Sequence, residues 1–200
     1  MNDINRRDIL RSAAIATTLG QLTPAFAQHV HQQAGDAKQA NAGRYQPKVF
    51  NAHDYQTVAR LADLIIPPEG ADPGGAAAGA PEFIDLLCSG AGRLAQTWLA
   101  GLAWLDSASR TRFQTAFLDA QPEQQTALLN LIAYRKNETP ELAPGIHFFD
   151  WARRMVVDAY FTSPAGVKAI DFQGNVGMQT FQVPLEALTY ALQRSPFEAG

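Results

Sequence analysis

Apolar residues recur at helical spacing through most of the chain between residues 51 and 161. One stripe shows intervals of four, four and three residues, which fit the buried face of an α-helix: Leu94, Trp98, Leu102 and Leu105. Convincing alternation of apolar and polar residues is missing, apart from a short stretch at 178–183. The sequence therefore predicts an all-α fold, a compact irregular helical bundle over residues 49–200.

Prolines and glycines divide this pattern into separate helices. Asn51 is typical of a helix cap, Pro67 and Pro68 stop the first helix, and Pro81 opens the next one. The spacing predicts helices over 51–66, 81–87, 94–105, 110–118, 121–136, 147–161 and 184–194. Loops are expected at 69–79, at 139–145 and over a loop-rich C-terminal stretch from 163 to 184.

The first 27 residues have the three parts of an export signal. Arg6 and Arg7 form a basic head, residues 12–24 are weakly apolar, and Ala25 and Ala27 flank Phe26 in the small-x-small pattern of a cleavage site. The adjacent arginines indicate the twin-arginine type, which exports proteins already folded. The alternative is a chance basic N-terminus before an Ala-rich helix. We predict a twin-arginine signal peptide over 1–27, with export to the periplasm through the twin-arginine translocase.

Residues 28–48 are polar and contain few large apolar side chains. Such a segment cannot bury enough apolar surface to fold by itself. The sequence therefore predicts a polar linker, or an N-terminal arm that orders only against a partner.

Composition excludes several classes of function. The formal net charge of −3, from 16 basic and 19 acidic residues, gives no electrostatic basis for binding nucleic acid. A single cysteine, Cys88, excludes an internal disulfide and a four-cysteine zinc site. No run of 18 apolar residues occurs, so membrane association is expected only through a complex.

Short motifs that suggest catalysis or cofactor binding are weak in this sequence. Residues 90–95 read G-x-G-x-x-A, but the helical pattern that follows favours a small-residue turn between two helices over a dinucleotide site. No Glu-x-x-His pair or G-x-S-x-G elbow occurs. Cys88 fits a small buried residue better than a nucleophile. We therefore assign this chain no catalytic residue, no cofactor-binding residue and no metal ligand.

Several segments in a fixed order resemble a known family. They are the leader, residues 64–67, the loop before residues 81–85, residues 101–106, and a late segment from Phe161 through Gly174 and Asn175 to Pro184. Over about residues 45–190 the chain resembles the gluconate 2-dehydrogenase subunit 3 family, the small subunits of flavin-dependent sugar and sugar-acid dehydrogenases.

The resemblance implies a non-catalytic accessory subunit. Its partners would be a large FAD-dependent subunit of the glucose–methanol–choline type and, in many such complexes, a cytochrome c subunit that carries haem c. The small subunit would carry the export signal and stabilise the flavoprotein. Residues expected at the partner interface are Trp104, Phe172, Gly174 and Asn175, although Gln173 separates Phe172 from the Gly-Asn pair.

Two other interpretations remain open on the sequence alone. One is an autonomous periplasmic oxidoreductase with its own cofactor, and the other is a free-standing binding module. A chromophore or metal bound to the purified chain would support the autonomous enzyme. Elution of the chain by itself from a native extract would support the binding module.

Overall fold

The computed structural model describes residues 23–171 and 183–194. In this part of the chain the regular structure is helical, and the prediction of an all-α fold is confirmed. The α-helices are α1 (Pro24–Ala40), α2 (Ala52–Ile65), α3 (Ala80–Gly90), α4 (Gly92–Phe113), α5 (Pro122–Ile132), α6 (Ala143–Phe161), α7 (Pro164–Ala169) and α8 (Leu185–Arg194), with a 3-10 helix at Arg135–Asn137. The chain divides into two units, Met1–Ile170 and Asp171–Gly200.

Helix α3 lies at the centre of the first unit. Its residues from Ala80 to Cys88 are all buried, including both acidic side chains, Glu82 and Asp85. The helix packs against α1, α2, α4 and α6. A helix surrounded on all sides has no solvent face, so its few polar groups need partners inside the protein.

Helices α4 and α6 cross closely over a core of aromatic side chains. Trp98 meets Phe148 edge to face with 5.4 Å between ring centroids, and its indole Nε1–H donates to Met155 Sδ over 3.2 Å. Gly101 permits this approach, because any side chain there would overlap the ring of Phe148. The stripe that contains Trp98 is therefore the buried face of α4, as the sequence predicts.

The ends of α2 follow the predicted signals. The Asn51 side chain accepts a hydrogen bond from the Asp54 N–H over 2.9 Å, which caps the first turn. The helix ends at Ile65, just before Pro67 and Pro68. The loop after it is fixed to α2 by the Asp63 carboxylate, which accepts from the Ala76 N–H over 2.8 Å.

The N-terminal segment differs from its prediction as a polar linker, because residues 24–40 form helix α1. Ala27, Val30 and Ala34 recur at intervals of three and four residues and are buried against the core. Small side chains let α1 approach α3 closely, and they bury too little area to stand out as a hydrophobic stripe. The segment thus orders against its own domain.

Three other boundaries differ from the predictions. Helix α4 ends at Phe113 and is followed by Gln114, whose φ of 64° is left-handed. Phe117 therefore lies in a turn, from which its side chain is buried in the core. Helix α6 begins at Ala143, inside the predicted loop, with Pro144 in its first turn. A six-residue helix, α7, occupies the start of the predicted loop-rich stretch and is capped by Ser163.

The second unit contains α8, and this confirms the helix predicted at 184–194. None of its residues is buried. Its large apolar side chains are exposed, with Leu185 at 77% and Tyr190 at 62%.

Candidate partner-binding surface

The buried carboxylate of Asp85 holds the chain segment before α2 onto α3. Asp85 is 0% exposed and accepts hydrogen bonds from the backbone N–H groups of Lys48 (2.7 Å), Val49 (3.0 Å) and Phe50 (3.1 Å). The Tyr45 hydroxyl donates a fourth over 2.8 Å. Four donors satisfy the charge, so this carboxylate can remain in the core without a cation.

Glu82, one turn before Asp85, connects α3 with its neighbours. Its carboxylate pairs with the Lys38 ammonium of α1 over 2.6 Å. Burial raises the pKa of Tyr55, and the negative charge of Glu82 adds to this shift. Burial also raises the pKa of Tyr45, together with its hydrogen bond to Asp85. Both phenols therefore stay protonated at neutral pH and act as donors or packing groups.

Asp106 is a second carboxylate that ties chain segments together. It accepts from the His53 ring over 2.8 Å, from the Phe117 N–H over 3.0 Å and from the Arg110 guanidinium over 3.3 Å. These contacts join the start of α2, the turn after α4 and α4 itself. Asp85 and Asp106 both use their charge to fix loops, which is a structural task.

A groove of about 520 Å³ lies between α1, the loop before α3 and the start of α7. His31 lines it, and the Thr162 hydroxyl lies 3.1 Å from His31 Nε2. The Thr162 hydroxyl also donates to the Asp158 carbonyl over 2.6 Å. Burial lowers the pKa of His31. The groove residues His31 and Lys38 are thus already engaged by the protein itself.

The single cysteine is buried, and the acidic groups of the described part of the chain lie apart from one another. Cys88 is buried on α3, and burial together with nearby Asp85 raises the pKa of its thiol. Across residues 23–171 and 183–194, no three His, Cys, Asp or Glu side chains lie close enough to hold a metal ion. Within the same ranges, every helix is too short or too polar to cross a bilayer.

The outer face of α6 has a different character from the buried face. Phe148, Ala152, Met155 and Ala159 form the buried stripe, whereas Trp151, at the edge of this stripe, is 40% exposed. Trp151 is not among the residues expected at the partner interface from the sequence. In the sequence Trp151 stands three residues after Phe148 and four before Met155, so helical spacing alone does not separate it from the buried stripe.

Arginines surround a single carboxylate beside Trp151. Asp150 pairs with Arg154 over 2.8 Å, with Arg153 over 3.4 Å and with Arg135 of the 3-10 helix over 3.8 Å. The arginine side chains are 51% to 75% exposed, and no other ion pair of theirs occurs within the described ranges. The charge of Arg154 also acts on Asp158, one turn further along α6. Two carboxylates cannot neutralise three guanidinium groups, so positive charge is left at this surface.

Tyr134 and Lys136, the neighbours of Arg135 at the start of the 3-10 helix, extend the same surface. Tyr134 is 56% exposed, and the Lys136 ammonium lies 5.2 Å from its ring centroid. Tryptophan, tyrosine and arginine are the residues that dominate binding energy at protein interfaces. We call the group Tyr134, Arg135, Lys136, Asp150, Trp151, Arg153 and Arg154 the α6 surface.

Of the residues predicted for partner contact and export, the structure describes only Trp104 and the cleavage pair Ala25 and Ala27. Trp104 is half-buried, and its ring covers Gly145, where a side chain would overlap it, so this indole packs α4 against α6. Phe172, Gly174 and Asn175 lie outside the described residues, as do Arg6 and Arg7. The predicted cleavage pair falls in the first turn of α1, with Ala25 exposed and Ala27 buried. A role of Trp104 at the partner interface stays a prediction.

Comparison with known proteins identifies a family that this chain matches. The family model described as gluconate 2-dehydrogenase subunit 3 matches residues 52–177, from the start of α2 to beyond α7. No curated protein and no solved structure matches the chain. The matched region contains the buried carboxylates and the whole α6 surface.

Proposed function

Because the chain belongs to the gluconate 2-dehydrogenase subunit 3 family, we propose that it is the non-catalytic small subunit of a periplasmic FAD-dependent dehydrogenase that oxidises a sugar, sugar acid or glycoside. The family match over residues 52–177 is the observation that carries this proposal. The family's name describes one subunit of a dehydrogenase, and other subunits are therefore its partners.

The chemistry of the complex belongs, in this proposal, to the partner subunits. A large subunit of the glucose–methanol–choline type holds FAD and oxidises the substrate, and a cytochrome c subunit with haem c accepts the electrons. This chain supplies the export signal, in which Arg6 and Arg7 are required, and stabilises the flavoprotein. The complex reaches the periplasmic side of the membrane as a folded assembly.

The α6 surface is the proposed docking site for the large subunit. Its exposed aromatic rings can fill pockets on a partner, and its arginines can form paired hydrogen bonds with partner carboxylates. The chain as a whole has a net charge of −3, so positive charge at this surface is a local feature that would orient an acidic partner face.

The docking site can be tested by co-purification of a tagged chain with its flavoprotein. We expect Trp151→Ala, and separately the pair Arg153→Glu and Arg154→Glu, to weaken the complex by at least about tenfold, the size typical of an interface hot spot. Flavin absorbance that elutes with the tagged chain is the measurement. Leu99→Ala and Arg93→Glu on α4 are matched controls, because both residues are exposed and lie outside the α6 surface.

Loss of flavin only in the α6 variants, with unchanged circular dichroism, supports the assignment. Equal flavin recovery from all variants would place the interface elsewhere and leave the family membership intact. Turnover or a bound chromophore in the isolated chain would contradict the non-catalytic role.

The export role has its own experiment. Arg6→Lys and Arg7→Lys together should leave both this chain and the flavoprotein in the cytoplasm, because the translocase reads the arginine pair. The distribution of flavoprotein activity between periplasm and cytoplasm is the readout. Full export of the flavoprotein alongside the double variant would show that it travels by another signal.

A further inference from the structure

The predicted cleavage site and the N-terminal helix share the same residues. Helix α1 begins at Pro24, its cap residue Thr23 accepts from the Phe26 N–H over 3.4 Å, and the Ala27 N–H donates to the Thr23 carbonyl over 3.0 Å. The bond after Ala27 therefore lies in the first turn of an α-helix.

Ala27 is also one of the points at which α1 is anchored. Its side chain is 0% exposed, and Val30, one turn later, is 4% exposed. Further along the helix, the ring centroids of His31 and Phe83 are 4.7 Å apart, and the Lys38 ammonium pairs with the Glu82 carboxylate. Apolar packing, an aromatic contact and a half-buried ion pair together hold α1 on α3.

A peptidase binds its substrate as an extended segment, with residues on both sides of the cleaved bond. Helical backbone angles differ from extended ones, so the segment must leave the helix before it can be cut. Fraying of the first turn alone does not suffice, because residues after Ala27 must also extend and Val30 is held in the core. Cleavage thus requires α1 to leave α3.

We propose that folding withdraws the bond between Ala27 and Gln28 from proteolytic processing, so that the folded chain keeps its first 27 residues. In the context of the proposed export this has a clear consequence, because a twin-arginine substrate folds before it meets the periplasmic peptidase. The basic leader then remains covalently attached to the exported subunit.

The purified full-length chain gives a direct test that does not depend on export. Elastase, which cleaves after small apolar residues, is added under native conditions, and intact mass spectrometry follows the fragment that begins at Gln28. We expect this fragment to form at least tenfold more slowly than from a synthetic peptide of residues 21–34. Val30→Asp should undock α1 and raise the rate toward that of the peptide.

Gln32→Asp is the matched control, because residue 32 is exposed on the same helix. It should leave cleavage as slow as in the unchanged chain. Release of the Gln28 fragment from the unchanged chain at the rate of the peptide would overturn the proposal. If Val30→Asp fails to fold, the comparison of unchanged chain and peptide still decides the matter.

The mass of the chain recovered from the periplasm extends the test to cells. A mass that includes residues 1–27 supports the proposal, and a chain that begins at Gln28 contradicts it. Failure of the proposed function gives a different result, since the chain would then stay in the cytoplasm while the elastase result remained unchanged.

Discussion

Asp85 and Asp150 each gather several donors, but one lies inside the bundle and the other on its surface. Asp85 accepts from three backbone N–H groups and a phenol, all uncharged. Asp150 pairs with three flexible guanidinium groups that remain largely in water. The first arrangement fixes a chain segment with its charge fully satisfied. The second leaves positive charge at the surface, where the arginines can bind carboxylates of another molecule.

The largest effect should come from removing the inner carboxylate. Asp85→Ala leaves the N–H groups of Lys48, Val49 and Phe50 without their acceptor, and each unsatisfied buried group costs about 1–3 kcal/mol. We expect the free energy of unfolding to fall by about 3–5 kcal/mol, the size seen when a buried charged partner is lost. Urea unfolding followed by circular dichroism measures it.

Asp119→Ala is the control for this change, because Asp119 is exposed. It should alter the free energy of unfolding by less than about 0.5 kcal/mol. Equal stability of the two variants would mean that Asp85 does not hold the segment before α2, and the contrast with Asp150 would fail.

Removal of one of the four donors to Asp85 should have an intermediate effect on the free energy of unfolding. Tyr45→Phe keeps the ring beside Tyr55, at a centroid distance of 6.1 Å, and removes the hydroxyl that donates to Asp85. One hydrogen bond to a charged group contributes about 1.5–3 kcal/mol at most, and three other donors remain, so we expect a loss of about 1 kcal/mol. Tyr134→Phe, at an exposed phenol, should leave the urea midpoint unchanged.

The sequence predicts the helices of the core better than it predicts α1. Large side chains such as Leu94, Trp98 and Phe148 mark buried faces clearly, because each carries a large apolar area. Helix α1 is anchored by Ala27, Val30 and Ala34, whose small areas are hidden among polar residues. The helix forms because the α3 surface is there to pack against, and that surface is set by distant parts of the chain.

The α6 surface, too, could be predicted only in part from the sequence. The run of Arg153 and Arg154 is visible in the sequence, but the spacing of Trp151 from Phe148 and Met155 does not mark it as exposed. The approach of Arg135 to Asp150 likewise depends on how the 3-10 helix lies against α6. Similarly, nothing local indicates that Asp85 would meet the backbone of residues 48–50, which lie 35 to 37 positions earlier. Tertiary contacts of this kind need the fold.

His31 offers a smaller, pH-dependent test of the difference between buried and surface polar groups. Burial lowers its pKa in the folded state below the ordinary value of 6.5, so the unfolded chain binds the proton more readily. Its contribution to stability is present above pH 6.5 and is lost as the pH falls from there toward the folded pKa. We expect the melting temperature of the unchanged chain to drop by about 1–3 °C more than that of His31→Gln over this interval.

Differential scanning fluorimetry at pH 7.5 and 5.5, with both proteins in the same buffers, isolates the contribution of His31. The comparison removes the carboxylates that titrate in both proteins. If the melting temperature of His31→Gln falls as steeply as that of the unchanged chain, burial of His31 does not lower its pKa enough to affect stability.

The smallest effect on stability should come from Asp150→Asn, and this variant separates stability from binding. Exposed ion pairs contribute about 0–1 kcal/mol, so the free energy of unfolding should change by less than about 0.5 kcal/mol. The same change removes the carboxylate that Arg135, Arg153 and Arg154 share and adds to the positive potential of the α6 surface. Association with an acidic partner face should then become about twofold to fivefold faster at low salt, with a steeper salt dependence. Surface plasmon resonance at two salt concentrations measures both quantities. Slower association would mean that Asp150 itself contacts the partner, and the arginines would then serve to position that carboxylate instead of binding directly.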